Sequence, residues 1–237
     1  MSGADIQVWA GVIGTTVAAV LGIFQYFNYR TRRDRIASVG ESFATTVEAL
    51  SSDNETRRMA AAVLLRRFFD RNTEQGSAGA PYLRETIEII AGMLRVEQPD
   101  QLRKVLADGL RFAVDLRGAD LQRCDLRHAY LGVKKGDRRR LTLAGADLFQ
   151  AQLGRASLRD VDAHGAVFYE ARCEDAVFSG ANLEHCDFRE ATLTSTRFDG
   201  ARVGGARFAG ATDVPDNVAA VLGSDGVAKP GAIVGER

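Results

Sequence analysis

The sequence is short of the residues that staple small secreted folds and build active sites. Three cysteines in 237 residues are too few for a disulfide scaffold and fit a reducing compartment. There are three histidines, none between 34 and 112, and no C-x-x-C or H-x-x-x-H spacing of the kind that holds zinc. Neither charge is in excess, because 31 basic residues balance 31 acidic ones. That balance removes any whole-chain argument for nucleic acid or for acidic substrates, and no nucleic-acid partner is expected. Gly200-x-x-x-Gly204-Gly205 is a loose glycine cluster without the Lys-Ser/Thr ending of a phosphate loop. No enzyme active site is readable, and neither a cofactor nor a metal is implied.

One feature present in full is an uncharged run from Ile6 to Tyr29. As a helix it would extend about 36 Å, enough for a bilayer core. Asp5 is the only charge before it, so the basic region of a signal peptide is missing. Arg30, Arg32, Arg33 and Arg35 follow it, and the positive-inside rule then puts the N-terminus outside and the bulk of the chain in the cytoplasm. Residues 6–29 therefore read as the transmembrane helix of a single-pass cell-membrane protein, with lipid as its partner. Gln7, Thr15, Thr16 and Gln25 lower the hydrophobicity and leave open a buried core helix or one lying on a membrane surface. Gly14, Ala18 and Gly22 fall four apart and would let two helices approach closely, which offers a face for homo-oligomerisation.

Residues 30–112 read as a cytoplasmic helical linker and cap. Ile36, Val39, Phe43, Val47 and Leu50 recur at helical spacing. Ser52-Asp53-Asn54-Glu55 has the form of a capping box before an apolar helix from Met59 to Phe69. Pro81 suits the first turn of a helix whose stripe is Leu83, Ile87, Ile90 and Leu94. Pro99 restarts the chain, and Leu102, Val105, Leu106 and Leu110 form the last stripe. Arg57, Arg58, Arg66, Arg67 and Arg71 read as a solvated helix face, with anionic lipid as the alternative.

From 113 to 212 the chain repeats every five residues. The third place of each block holds Leu116, Leu121, Leu126 and Leu131, then every fifth residue from Leu143 to Phe208; two places earlier stands a small residue, usually Ala. A fixed internal period marks a solenoid. One block makes one side of a square and four make a coil, so residues twenty apart should stack at the spacing of neighbouring strands. Leu148, Phe168, Phe188 and Phe208 then share one inner wall, and Phe178 and Phe198 the opposite one. Glycine in fifth place, as at 145, 165 and 200, suits a corner. Asp in second place reads as turn hydrogen bonding rather than acid–base chemistry. Cys124, Cys173 and Cys186 fall on inward places and behave as small hydrophobes; His128, His164 and His185 fall on outward or corner places of different coils. The insertion GVKKGDRRR at 132–140 carries Lys134, Lys135, Arg138, Arg139 and Arg140, either a solvated loop or a contact for anionic lipid or nucleic acid. Residues 213–222 read as a C-terminal cap with a short helix, and 223–237 as a disordered tail.

The blocks ADLQR (119–123), ADLFQ (146–150) and ANLEH (181–185) resemble the A-[DN]-L-x-x motif of the pentapeptide repeat family. A single block is a weak match, whereas eighteen in near-constant phase over roughly 100 residues are specific. The resemblance implies a right-handed quadrilateral β-helix, so the expected class is mainly β with α. Val161-Asp162-Ala163 and Ala171-Arg172-Cys173 depart from the pattern, and tolerated substitutions, with or without a local bend, are expected there. The resemblance also implies a non-enzymatic scaffold for an unknown protein partner, here membrane-anchored at the cytoplasmic face. An oligomerising membrane effector or signalling subunit is the alternative. Some family members resemble duplex DNA and bind type II topoisomerases, which requires an acidic rod. Residues 114–212 hold 14 acidic and 15 basic residues, a poor imitation of DNA.

Overall fold

The structure, a computed structural model, describes residues 36–70, 82–113, 115–133 and 141–235. The chain divides into two compact units, Met1–Thr45 and Thr46–Arg237. In the first, the described residues 36–45 are helical. The account below concerns the second.

Helix α1 spans Glu55–Leu65 and tightens into a 3-10 turn over Arg66–Phe68. Its N-cap is Asn54, whose Oδ1 accepts the Arg57 N–H at 3.0 Å. Ser52 instead accepts the Asn54 N–H at 3.2 Å. The expected capping box is thus displaced by two residues, and the helix begins four residues before Met59. The reason is that an Asn side chain reaches the first free helical amides as well as Ser does. Helix α2, Leu83–Leu94, buries Ile87, Ile90 and Leu94. Helix α3, Asp100–Gly109, follows Pro99 and buries Leu102 and Leu106. Leu65, Phe68 and Phe69 complete the helical core.

From Asp115 to Thr192 the second residue of every block forms a parallel bridge to its counterpart one coil later, as in Asp147↔Val167 and Val167↔Asp187. The first coil bridges across the insertion, as in Asp120↔Asp147. Each bridge is a pair of bonds: Leu148 N–H donates to Val167 O at 2.7 Å and Val167 N–H to Ala146 O at 2.9 Å. Each corner is closed by a third, such as Ala151 N–H to Leu148 O at 3.0 Å. The fifth place of each corner has positive φ, from 54° at Gln150 to 73° at Gly210. Second-place Asp supports the corner, as where Asp147 Oδ1 accepts the Phe149 N–H at 2.9 Å. The ladder runs through 161–163 and 171–173 with Val161, Ala163 and Cys173 buried, so the substitutions there leave the register of the coil intact.

Four walls result. We number them from the blocks centred on Leu116, Leu121, Leu126 and Leu131. Phe168, Phe178, Phe188 and Phe198 are fully buried and Phe208 nearly so, and the buried Leu148 continues the wall of Phe168, Phe188 and Phe208. On the second wall Phe168 and Phe188 stack at 4.6 Å and Phe188 and Phe208 at 5.1 Å. On the fourth, Phe178 and Phe198 stack at 5.3 Å. The columns meet edge to face at 5.5 to 6.2 Å, a favourable arrangement for ring quadrupoles.

Both ends of the ladder are covered. At the start, Asp125 N–H donates to Leu94 O at 2.7 Å and Tyr130 N–H to Asp108 Oδ1 at 2.7 Å. Arg95 donates to the carbonyls of Gln122 and Asp120. Arg103, almost wholly buried, donates to Arg127 O and to Asp100. At the other end helix α4, Asp216–Ala219, buries Val218. The segment after it, expected to be disordered, is ordered through 235. Val203 N–H donates to Ala232 O at 2.9 Å and Phe208 N–H to Gly226 O at 2.8 Å, and Arg202 and Arg207 bridge antiparallel to Ile233 and Val227. The physical cause is the row of free donors that the last coil leaves exposed.

The expected single-pass placement in the cell membrane, N-terminus outside, is corrected: among the described residues no helix is long and apolar enough to cross a membrane. A span needs about 20 mostly apolar residues, and the helical residues 36–50 carry Glu41 and Glu48. The run 6–29, with Gly14, Ala18 and Gly22, lies outside the described residues, as do Arg30, Arg32, Arg33 and Arg35.

Candidate interaction surface

The outward places of a pentad carry no core, so their side chains are free to differ from coil to coil. On the second wall two of them are aromatic. Phe149 and Tyr169, each in fourth place and one coil apart, stack on the outer surface at 5.8 Å with their planes 10° apart. The Arg123 guanidinium lies 5.9 Å from the Phe149 ring and that of Arg189 lies 5.4 Å from the Tyr169 ring. The column therefore reads cation, ring, ring, cation. Its rings are half-buried. Val167 lies beside Tyr169 on the same wall. Among the described residues of the coils, Tyr130 is the only other outward aromatic.

A polar rim holds this column in place. Arg123 Nε donates to Gln150 at 3.0 Å and Gln150 Nε2 to Glu170 at 2.7 Å, along the adjoining corner. Gln122 donates to Asp147 at 2.6 Å. Arg189 forks onto both carboxylate oxygens of Asp187 at 2.8 and 2.7 Å, and Arg207 adds a bond at 2.9 Å. Burial pushes the Asp187 carboxyl up, but the Arg189 hydrogen bonds and the charges of Arg207 and Arg189 outweigh it, and its pKa lies below the ordinary carboxylate value.

The remaining candidate residues are scattered. His164 and His185 meet edge to face at 5.4 Å on adjacent coils, while His128 is on the first coil. Among the described residues no group of three or more His, Cys, Asp or Glu could hold a metal. The three cysteines are buried. Burial pushes the Cys124 thiol up to about 12 and those of Cys173 and Cys186 higher still, the opposite of what a nucleophile needs. Lys134, Lys135, Arg138, Arg139 and Arg140 lie outside the described residues. The sequence reading passed over Phe149 and Tyr169 because it followed the inward places; two outward aromatics one coil apart were the available signal.

Two segments, 113–131 and 171–210, match the family model of pentapeptide repeats, in eight copies. The repeat region is thus made of pentapeptide repeats, and 141–170 continues the same ladder between the matched segments. The similar solved structures include two described as pentapeptide repeat proteins. The pentapeptide repeat protein Rfr23 of the cyanobacterium Cyanothece 51142 is 26% identical over 41% of this chain and 62% of its own, with a TM-score of 0.37. A pentapeptide repeat protein from the thylakoid lumen of Arabidopsis thaliana is 28% identical over 51% of this chain and 83% of its own, with a TM-score of 0.35. QnrB1, a plasmid-mediated fluoroquinolone resistance protein, is 24% identical over 41% of this chain and 57% of its own, with a TM-score of 0.18. At such TM-scores the likeness carries nothing beyond the repeat itself. No curated protein matches the chain.

Proposed function

We propose that this protein is a non-enzymatic scaffold that binds a partner protein through the second wall of its pentapeptide coil. The Arg123–Phe149–Tyr169–Arg189 column carries the reading. Aromatic and arginine side chains supply most of the binding energy at protein interfaces, inside a rim that excludes water. Here the rigid ladder holds them in register before any partner arrives, so little ordering entropy is spent on binding. Each ring face is covered by a ring or a guanidinium, so the surface offers ring edges to a protein side chain rather than open faces to a stacking base. The near-equal charges of the coil argue against imitation of DNA.

The test is crosslinking and pull-down from a lysate of the native host, with the full chain as bait and a Phe149→Ser/Tyr169→Ser variant beside it. A partner whose recovery drops at least tenfold with the variant supports the reading. A set of partners unchanged by the variant removes this wall from the account.

A further inference from the structure

A second surface sits at the other end of the helical cap. The 3-10 turns that end α1 and α3 bring Arg66 and Arg111 to one ring: each guanidinium carbon lies 5.2 Å from the centre of Phe112. Arg111 also lies 5.3 Å from the ring of Tyr130. Arg66 is exposed, and Arg111, Phe112 and Tyr130 are half-buried. Neither arginine forms an ion pair among the described residues, whereas Arg95, Arg103, Arg117 and Arg127 all do. Position at a helix C-terminus favours each cation singly. It does not explain why two like charges converge on one ring with neither paired to a carboxylate among the described residues; the nearby Asp108 carboxylate is held by the Tyr130 N–H at 2.7 Å.

The attraction of a cation to a ring holds each guanidinium in place and uses none of its capacity to bind a carboxylate in a fork. Two such forks flank an aromatic surface. The matching ligand has two anions with an apolar group between them. Inorganic phosphate has no such group.

We propose that the Arg66–Phe112–Arg111–Tyr130 cluster docks an acidic segment of a partner protein, one carboxylate to each guanidinium and an apolar side chain against the rings. The site is separate from the aromatic column on the second wall, and either can fail without the other.

The experiment is fluorescence anisotropy with the full chain and a labelled peptide of glutamates interrupted by phenylalanine. The same peptide with glutamine for glutamate is the control. The acidic peptide should bind, more weakly as salt rises, and the glutamine peptide should not. Arg66→Gln and Arg111→Gln should each lower affinity about tenfold. Changing Lys134, Lys135, Arg138, Arg139 and Arg140 together to Gln should alter it less than about twofold. The proposal is overturned if both arginine variants, with unfolding transitions like the parent's, bind the peptide as the parent does. It is overturned equally if the loop variant alone loses binding, or if phosphatidylglycerol vesicles need Arg66 and Arg111 while the peptide does not bind.

Discussion

A phenylalanine in this chain does one of two things, decided by its place in the pentad. Phe188 is fully buried, stacked between Phe168 and Phe208 and touched edge-on by Phe178 and Phe198. Phe188→Ala should cost about 3–5 kcal/mol, because the ladder on either side prevents the wall from collapsing into the void. Phe149, on the outer face of the same wall, should cost about 1 kcal/mol when changed to Ala. Urea denaturation of both variants checks this, and equal losses would mean that the inward and outward places are wrongly assigned. The fifth place shows the ladder overruling residue preference. Glycine was expected at the corners, yet Arg123, Gln150, Glu170 and Glu190 also stand there at positive φ. Such backbone costs an L-residue roughly 1–2 kcal/mol, a cost the flanking ladder bonds offset.

At the scale of elements, the two ends of the solenoid are closed by different means. The start is held by charged donors, with Arg95 and Arg103 fixing the helices onto the first coil. The finish is held by close backbone approach. A Cβ on Gly204 would lie 2.6 Å from the Gly231 nitrogen, which cannot move without the C-terminal segment. Gly204→Ala should therefore detach residues 226–234. Hydrogen exchange at Gly200, Val203 and Gly205, whose amides donate to Val234, Ala232 and Ala228, should quicken by tenfold or more. Gly200→Ala meets nothing nearer than 3.9 Å; its φ of 70° should cost about 1–2 kcal/mol of backbone strain, but without a clash against the C-terminal segment the amides of Val203 and Gly205 should stay as they are. Unchanged exchange in the Gly204 variant would show that the segment is not held at that contact.

The whole molecule titrates at its two extremes. Burial holds the thiols of Cys124, Cys173 and Cys186 above their ordinary value of 9.0. Above about pH 9 the unfolded chain loses those protons while the folded chain keeps them, so the folded state loses stability as pH rises. Asp125 and Asp187 go the other way. Burial raises both, but hydrogen bonds from Arg127 and Arg189 and nearby guanidinium charges outweigh it and leave both below the ordinary 3.8. Their contribution is full above that value and is lost as pH falls through the lower, folded pKa. A plot of Tm against pH should fall at both ends. Cys124→Ala/Cys173→Ala/Cys186→Ala should flatten the alkaline limb, and an unflattened limb would place the titrating groups elsewhere.

The sequence by itself determined the coil. A five-residue period with a small residue and a large apolar one at fixed places leaves few other ways to bury the first and third places of every block, so the inner walls and their phenylalanine columns were legible from the sequence alone. The helical stripes of α2 and α3 were legible for the same reason. The tertiary structure decided what no local pattern contains. The cap of α1 moved to Asn54 because two nearby side chains compete for the same amides. The glycine-rich C-terminal segment became ordered because the last coil presents it with unpaired donors, a demand made by the neighbouring coil and not by its own composition. Phe149 and Tyr169 became one column, and Arg66 and Arg111 came to one ring, because stacking twenty residues apart and the meeting of two helix ends are set by the fold, and outward places carry no periodic constraint that would announce them.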